Sequence, residues 1–581
     1  MSNNHFYFAN RESVNRFVNR WDFLLLILVF SILFFLGWAG MQMATPYSLG
    51  EPLPISLAPS HLPFYALRTV LRMFIALGLS ILFTFVVGAL AAKHRRAEQV
   101  IIPAIDVLQS VPVLSFLAIT ITGFIRLFPN SLLGPECASI FVIFTAQVWN
   151  ITFSFYQSLK MVPHDLREAA AVFQLSAWQR FWKIEVPYSM PGLLWNMMIS
   201  MSASWFFVVL SEAIAVAHQD IRLPGVGSYI ALAIEKGDLY AVGYAILTMV
   251  VVIFLYDQIL FRPLIAWSEK FKAEQSSDGE EYQSWLIDLI RRSRLMMRVN
   301  ERLAIVRDRF VNAHLFRQRG ANVIHEMDFK RQKHMDWLWS IVVLLAIFGG
   351  GYLLLRYILA VLQVKEILHV FLLGAATGSR VIVLIILSSL VWIPVGVWIG
   401  LRPKVSQKIQ PIIQFFAAFP ANLFYPLFVI AIVRFHLSVE IWVTPLMILG
   451  TQWYILFNVI AGASMIPRDL YLVADNFGVK GWQWWRRLAL PGIFPFYITG
   501  AITAAGGAWN ASIVAEWVSW GSTTLTATGL GEYIQASTIG GHFPKIALGT
   551  VVMCLYVLVF NHLIWRPLYR LAEERFNFQG V

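Results

Sequence analysis

Cysteine is almost missing from this chain, with only Cys137 and Cys554 among 581 residues. A disulfide framework and any cysteine-ligated zinc or iron–sulfur site are thereby excluded. Charge is scarce as well: Asp, Glu, Lys and Arg make up 13%, against about 25% in soluble domains, which argues against a soluble enzyme. The sequence contains no G-x-x-x-x-G-K-[ST] phosphate loop, no H-E-x-x-H and no histidine cluster at metal-ligand spacing. It therefore does not bind ATP in the P-loop manner, and a polytopic membrane enzyme lacks its catalytic constellation. Catalytic residues and metal ligands are accordingly expected to be none. Disorder is excluded by an aromatic content of 15%.

What the chain has is apolar length: 58% hydrophobic residues and a mean hydropathy of +0.65. Twelve runs are long enough to cross about 30 Å of hydrocarbon. They lie near 22–42, 66–92, 100–124, 137–159, 189–215, 239–263, 337–361, 375–401, 409–433, 438–462, 492–518 and 545–566. In lipid the backbone must satisfy its own hydrogen bonds, so these runs are read as helices. Small-residue pairs such as Gly396 and Gly400 allow close helix approach. Basic residues alternate between loops: Arg11, Arg16 and Arg20 precede the first run, 43–65 carries no Lys or Arg, and Lys93, Arg95 and Arg96 follow. This alternation predicts cytoplasmic termini and a multi-pass chain in the inner (plasma) membrane. It also accounts for the net charge of +12 without nucleic acid. The first run lacks a small-residue cleavage site and is expected to stay as an anchor.

The two halves repeat. From Trp149 onward the offset is 304, pairing Trp149 with Trp453, Pro163 with Pro467, Trp205 with Trp509, Glu212 with Glu516, and Gly225-x-Gly227 with Gly529-x-Gly531. Upstream it is 308, pairing Arg72 with Arg380, Gly88 with Gly396 and Pro112 with Pro420. Six runs per half insert both copies the same way up, a parallel repeat about the membrane normal. The predicted fold is all-α: about 12 transmembrane helices in two parallel six-helix repeats. The expected domains are 1–264 (repeat 1, an anchor span plus a five-span core), 265–336 (a basic linker) and 337–581 (repeat 2). Residues 265–335 hold 14 Lys or Arg and 10 Asp or Glu. Apolar residues three or four apart among arginines predict either an amphipathic helix on the inner membrane face or a plain tether.

After the fourth run of each half lies a loop ended by a proline. The first reads Arg167-Glu168-Ala169-Ala170-Ala171-Val172-Phe173-Gln174 and continues to Pro187. The second reads Leu472-Val473-Ala474-Asp475-Asn476-Phe477-Gly478 and continues to Pro491. Each is expected to be a short helix under the bilayer, with Asp165 or Asp469 at its start. These loops resemble the signature of ABC importer permeases, E-A-A, three residues, G, nine residues, I-x-L-P. The first copy supplies Glu168, Ala169 and Ala170 but has Gln174 for the glycine. The second supplies Ala474 and Gly478 but has Leu472 and Val473 for Glu-Ala.

Leu108-Gln109-Ser110-Val111-Pro112, Glu212 and Gly225-Val226-Gly227 extend the resemblance to the nitrate, sulfonate and taurine branch of these permeases, in a duplicated, fused form. The resemblance implies a type I permease-like subunit translocating a small anion (nitrate, sulfonate, taurine or bicarbonate) by alternating access. It implies no cofactor in this chain, with ATP and Mg on the partner ATPase, and no enzymatic activity here. Its partners would be two ATP-binding subunits on the cytoplasmic side and a periplasmic or lipid-anchored substrate-binding protein. Glu168, Ala169, Ala170, Gln174, Leu472, Val473, Ala474 and Gly478 would form the ATPase-coupling sites.

Candidate path residues are polar or charged positions in apolar runs. Arg72 and Arg380 either offer positive potential to an anion or snorkel to the interface. Glu212 and Glu516 either line the outer mouth or accept hydrogen bonds from the Gly-x-Gly loops. Gln109, Ser110, Gln414 and Asn422 adjoin prolines that break the third run, where irregular backbone is tolerated if it lines a cavity. The competing function is an ATP-independent secondary transporter. Its marks would be mid-membrane coupling carboxylates and inverted repeats, and neither is evident in the sequence.

Overall fold

The apolar runs fold as helices in a computed structural model that describes residues 20–46, 54–216, 219–268, 285–312 and 329–576. Arg11, Arg16 and part of the linker lie outside the described residues. The first half contains α1 (Arg20–Met41), α2 (Pro59–Lys93), α3 (Arg95–Ser110), α4 (Leu117–Leu127), α5 (Leu133–Lys160), α6 (His164–Val172) and α7 (Ala177–Glu212). A hairpin, β1 (Ala213–Val216) and β2 (Gln219–Arg222), leads to α8 (Val226–Lys236) and α9 (Leu239–Ser268). The linker forms α10 (Trp285–Arg292) and α11 (Arg294–Val311). The second half repeats the order: α12 (Phe329–Leu359), α13 (Val364–Gly400), α14 (Pro403–Ala418), α15 (Tyr425–Arg434), α16 (Val439–Met465), α17 (Arg468–Asn476) and α18 (Trp482–Ala515). Then come β3 (Trp517–Trp520), β4 (Thr523–Thr526), α19 (Leu530–Ile539) and α20 (Phe543–Ala572).

Among the described residues, nine helices are long and apolar enough to cross a membrane, or ten if the bent pair Pro411–Ala418 and Ala421–Arg434 counts as one span. Of the twelve runs, the first (α1) is not among these nine, and the third run of each half is broken at its prolines, as expected. Residues 100–124 are divided between α3 and α4, because Val111 is extended before Pro112 and a short 3-10 turn, Val113–Phe116, comes next. In the second copy Phe419 and Pro420 do the same, and the chain bends by 74°. Proline clashes with a helical predecessor and lacks the N–H needed to continue the ladder. Close packing at Gly396 and Gly400 is also present: a Cβ on Gly400 would lie 2.6 Å from the Ile460 carbonyl.

Five-residue π turns recur at equivalent places, Phe181–Glu185 with Trp485–Ala489 and Asp257–Phe261 with Asn561–Trp565. Each adds a residue to the turn and rotates the remainder of its helix. The repeat therefore extends to irregularities of the backbone.

The halves are interlocked through their broken spans. Val113, Leu114, Leu117 and Ile121 of the first half pack in a buried cluster dominated by the second, with Trp509, Ile513 and Val552. Ala418, Phe419 and Leu423 of the second half pack in the cluster of the first, with Met197, Trp205 and Met249. Polar contacts pin the exchange. The Val113 N–H donates to Asn510 Oδ1 at 2.8 Å, Thr550 Oγ1 to the Ser115 carbonyl at 3.1 Å, and the Gly521 N–H to the Ile234 carbonyl at 2.8 Å. Lipid tails are as apolar as leucine, so such an interface rests on packing and on hydrogen bonds rather than on water exclusion.

Candidate functional site

Two features recur in both halves: a short elbow on one face and an ion node near the other. The elbow helices α6 and α17 start after Pro163 and Pro467, with Asp165 and Asp469 in the first turn, where a negative charge suits the helix dipole. Ala170 and Ala474 are buried; Ala474 sits among Ala463, Ile466, Leu488, Ala489 and Ile493. A larger side chain there would lift the elbow off the bundle. The opposite side is open. Phe173 is 76% exposed and its equivalent Phe477 81%, with Val172, Leu472 and Val473 exposed beside them. Glu168 is exposed, and its Oε1 lies 3.1 Å from His164 Nδ1 one turn back. Ala169 is half-buried.

Both elbows end in a left-handed residue. Gln174 has φ 48° and Gly478 φ 64°. The N–H of the next residue reaches back to the buried alanine's carbonyl: Leu175 to Ala170 at 3.0 Å and Val479 to Ala474 at 2.8 Å. This is the Schellman arrangement, in which only glycine carries no steric penalty. Tyr471, on the second elbow, packs against the bundle beneath it, and burial pushes its phenol up to about 12.

The ion nodes gather the path candidates that carry charge. Arg72 is wholly buried on α2. Its Nε and Nη2 donate to Glu136 at 2.6 and 2.7 Å, its Nη1 to Glu212 at 2.6 Å, and Nη2 also to the Pro224 carbonyl at 3.0 Å. Arg68 adds a 2.5 Å bond to Glu136. In the second half Arg380 donates to Glu516 and to the Thr528 carbonyl, both at 2.8 Å, and pairs with Glu440. The Glu212 and Glu516 carboxylates also accept the Gly227 and Gly531 N–H groups, each at 2.7 Å. Thr69 and Thr377 accept from Val226 N–H and Leu530 N–H at 3.1 and 2.8 Å. Each node thus ties α2 or α13, α5 or α16, and α7 or α18 to the loop behind them.

The glycines are required because that loop runs against the carboxylate. A Cβ on Gly225 or Gly529 would overlap the carboxylate of Glu212 or Glu516. The donors of Arg72 and Arg380 are thus directed at carboxylates and carbonyls within their own half. Glu212 and Glu516 are buried and accept hydrogen bonds from the Gly-x-Gly loops, the second of the two readings the sequence offered.

The uncharged path candidates lie apart from the nodes, at the interlocked breaks. Gln414 is half-buried, its Nε2 donating to Met198 Sδ of the other half at 2.7 Å. Asn422 is buried, and its Oδ1 has no partner among the described residues. Gln109 is exposed, and Ser110 ends α3 with its side chain outside the described set. Sequence reasoning missed Arg68, Glu136, Glu440, Thr69 and Thr377. The signal for the two glutamates was present, since both open the fourth run of their half at the 304 offset.

The fold and site define a polytopic helical membrane protein built from two copies of one bundle, each with an exposed elbow and a buried ion node. The chain belongs to the family of binding-protein-dependent transport system inner membrane components, which matches it twice, over residues 84–261 and 392–572. It is an ABC transporter permease in a duplicated, fused form, and a multi-pass membrane protein. It is 26% identical over 190 residues to the nitrate import permease protein NrtB of Leptolyngbya laminosa, covering 33% of this chain and 64% of that one. It is 23% identical over 185 residues to the bicarbonate transport system permease protein CmpB of Synechococcus elongatus, covering 32% and 60%. A putative ABC transporter permease of Methanocaldococcus jannaschii is 26% identical over 243 residues, covering 40% and 85%. The chain thus spans less than two thirds of the nitrate and bicarbonate relatives it matches.

Proposed function

We propose that this chain is the translocation subunit of an ATP-driven importer for a small anion, of the nitrate or bicarbonate kind. Within it, residues 1–264 and 337–581 act as two permease units joined by the 265–336 linker. Hydrolysis belongs to two ATP-binding subunits, which hold ATP and Mg, and this chain is no enzyme. A periplasmic or lipid-anchored binding protein delivers the solute. The termini and both elbows face the cytoplasm of a cell whose inner membrane the chain spans.

The observation that carries this reading is the repeated elbow. Two equivalent short helices leave Phe173 and Phe477 in the open, beneath a bundle whose halves meet through broken spans. Large apolar side chains presented together on a polar face mark a docking surface. Glu168, Ala169, Ala170 and Gln174, and Leu472, Val473, Ala474 and Gly478, form the two docking elbows. Motion of the docked motors rocks one half against the other, a rigid-body route to alternating access. The solute route runs along the interlocked breaks past Gln414, Asn422, Gln109 and Ser110. The nodes around Arg72, Arg380, Glu212 and Glu516 keep each half rigid as it moves.

The test is co-expression with the cognate ATPase. The two are expected to co-purify, and Glu168→Lys with Gly478→Arg to abolish capture while the chain still elutes as a folded species. Uptake of nitrate or bicarbonate into vesicles should require hydrolysable ATP inside. Uptake driven by an ion gradient without the ATPase would overturn the reading.

A further inference from the structure

Within the linker, α11 is anchored at both ends. Ser293 separates α10 from α11 and caps the latter, accepting from the Met296 N–H at 3.1 Å. Its hydroxyl donates at 2.6 Å to Asp22, a buried carboxylate in the first turn of α1, which also accepts from the Leu295 N–H at 3.0 Å. At the far end, Phe310 lies edge-on to Trp178 and Trp182, with centroids 5.1 and 5.7 Å away. Trp178 Nε1 donates to the Phe310 carbonyl at 3.2 Å, and Gln179 Nε2 and Lys183 Nζ to Asn312 Oδ1 at 3.0 and 3.3 Å. Both anchors sit at the starts of long apolar helices, α1 and α7, so α11 runs along the face at which both begin. An 18-residue helix, about 27 Å long, thus lies along that face instead of projecting from it.

Its surface is divided. Val299, Leu303, Val306 and Phe310 recur at four, three and four residues, and so form one stripe. That stripe is uncovered: Leu303 is 58% exposed and Val306 60%. Arg298, Arg302 and Arg309 form the adjoining stripe, all exposed, while Glu301 and Asp308 lie on the far side of the arginines. Ser293, at the start of α11, is bonded to Asp22, the chain neighbour of Phe23, which is exposed on α1 with Ile27 and Phe30. An apolar stripe bordered by arginines and lying tangentially at a membrane face matches the acyl–headgroup boundary of an anionic leaflet.

We propose that α11 is a lipid-binding strap. Its apolar stripe enters the edge of the bilayer, its arginines take anionic phospholipid headgroups, and through Phe310 the bound lipid steadies the start of α7, which follows the first elbow, in the first half alone. Among the described residues nothing covers the second elbow in this way, and Trp482, the equivalent of Trp178, is 72% exposed. The strap does not depend on how transport is powered.

The test uses the full chain with Cys137→Ala and Cys554→Ala, carrying one nitroxide label through Leu303→Cys or Glu301→Cys. It is placed in nanodiscs of phosphatidylcholine alone or with one third phosphatidylglycerol. Accessibility to oxygen and to a water-soluble nickel chelate reports depth. With phosphatidylglycerol, the label at 303 is expected to show an oxygen-to-nickel ratio several-fold above that at 301. Arg298→Gln, Arg302→Gln and Arg309→Gln together should reduce it to the level seen in phosphatidylcholine alone. A label at 303 open to nickel in both lipids, a ratio indifferent to anionic lipid, or shielding from both reagents, as under a protein partner, would overturn the proposal. Retention of the gel-filtration profile shows that each variant is folded.

Discussion

Gln174 and Gly478 occupy the same place in the two elbows, and both are left-handed, with φ of 48° and 64°. A glutamine there carries a steric penalty that glycine does not, of about 1 kcal/mol. Gln174→Gly is expected to slow amide exchange across residues 164–175 by several-fold, and Gly478→Gln to accelerate it across 468–479. Hydrogen–deuterium exchange of the purified chain reads both. Unchanged exchange in both elbows would mean that their ends are held by something other than this turn.

The two ion nodes differ in charge balance. Arg68 and Arg72 face Glu136 and Glu212 in the first, all four buried; Arg380 alone faces Glu440 and Glu516 in the second, where Glu440 is half exposed. Removing one member of a buried pair strands the other at a cost of about 3–5 kcal/mol. Arg72→Met is therefore expected to lower the thermal unfolding midpoint in detergent substantially. Arg72→Met leaves Arg68 on Glu136 and strands Glu212 alone, whereas Arg380→Met leaves neither glutamate of its node an arginine, so its effect should be larger. Equal losses would refute the asymmetry.

Glycine at 225 and 529 is dictated by the carboxylate beside it. Gly225→Ala and Gly529→Ala should each destabilise by about 1–3 kcal/mol, the usual cost of forcing extra volume into a packed site. Gly78→Ala and Gly243→Ala, where an added Cβ meets nothing within 4 Å, should not. Monodispersity after mild heating is a sufficient readout.

Phe173 and Phe477 offer a more selective test of the elbows than the buried alanines, whose replacement perturbs the fold. Both rings are exposed, so Phe173→Asp and Phe477→Asp should leave stability within about 0.5 kcal/mol, as surface changes do. Capture of the ATPase should fall at least tenfold in the double variant. If the double variant still binds the ATPase fully, the motors dock elsewhere.

Much of this was legible in the sequence because membrane helices advertise themselves by composition and the repeat supplies an internal control. The pairing of Pro112 with Pro420 located both broken spans, and Pro163 with Pro467 located both elbows. The ion nodes were only half visible. Arg72 and Glu212 stood out as charges in apolar runs, but Glu136 sits where a run begins and passes for a loop residue. What joins them is packing between helices 64 to 140 residues apart, which no local pattern encodes. The same holds for Gln174. Its type suggests a departure from the signature, and only the backbone shows that it keeps the glycine's conformation at a steric cost. The strap was visible as a periodic pattern among arginines, whereas its anchors at Asp22 and Trp178 required coordinates.

The exchange of broken spans bears on how the chain is made. Phe419 and Leu423 complete the interior of a half synthesised well before them, so that half leaves the insertion machinery with a gap where those side chains belong. Cutting the gene within the linker should therefore yield two fragments that are each poorly behaved alone and recover only when produced together. Fusion into one polypeptide fixes their stoichiometry and shortens the wait.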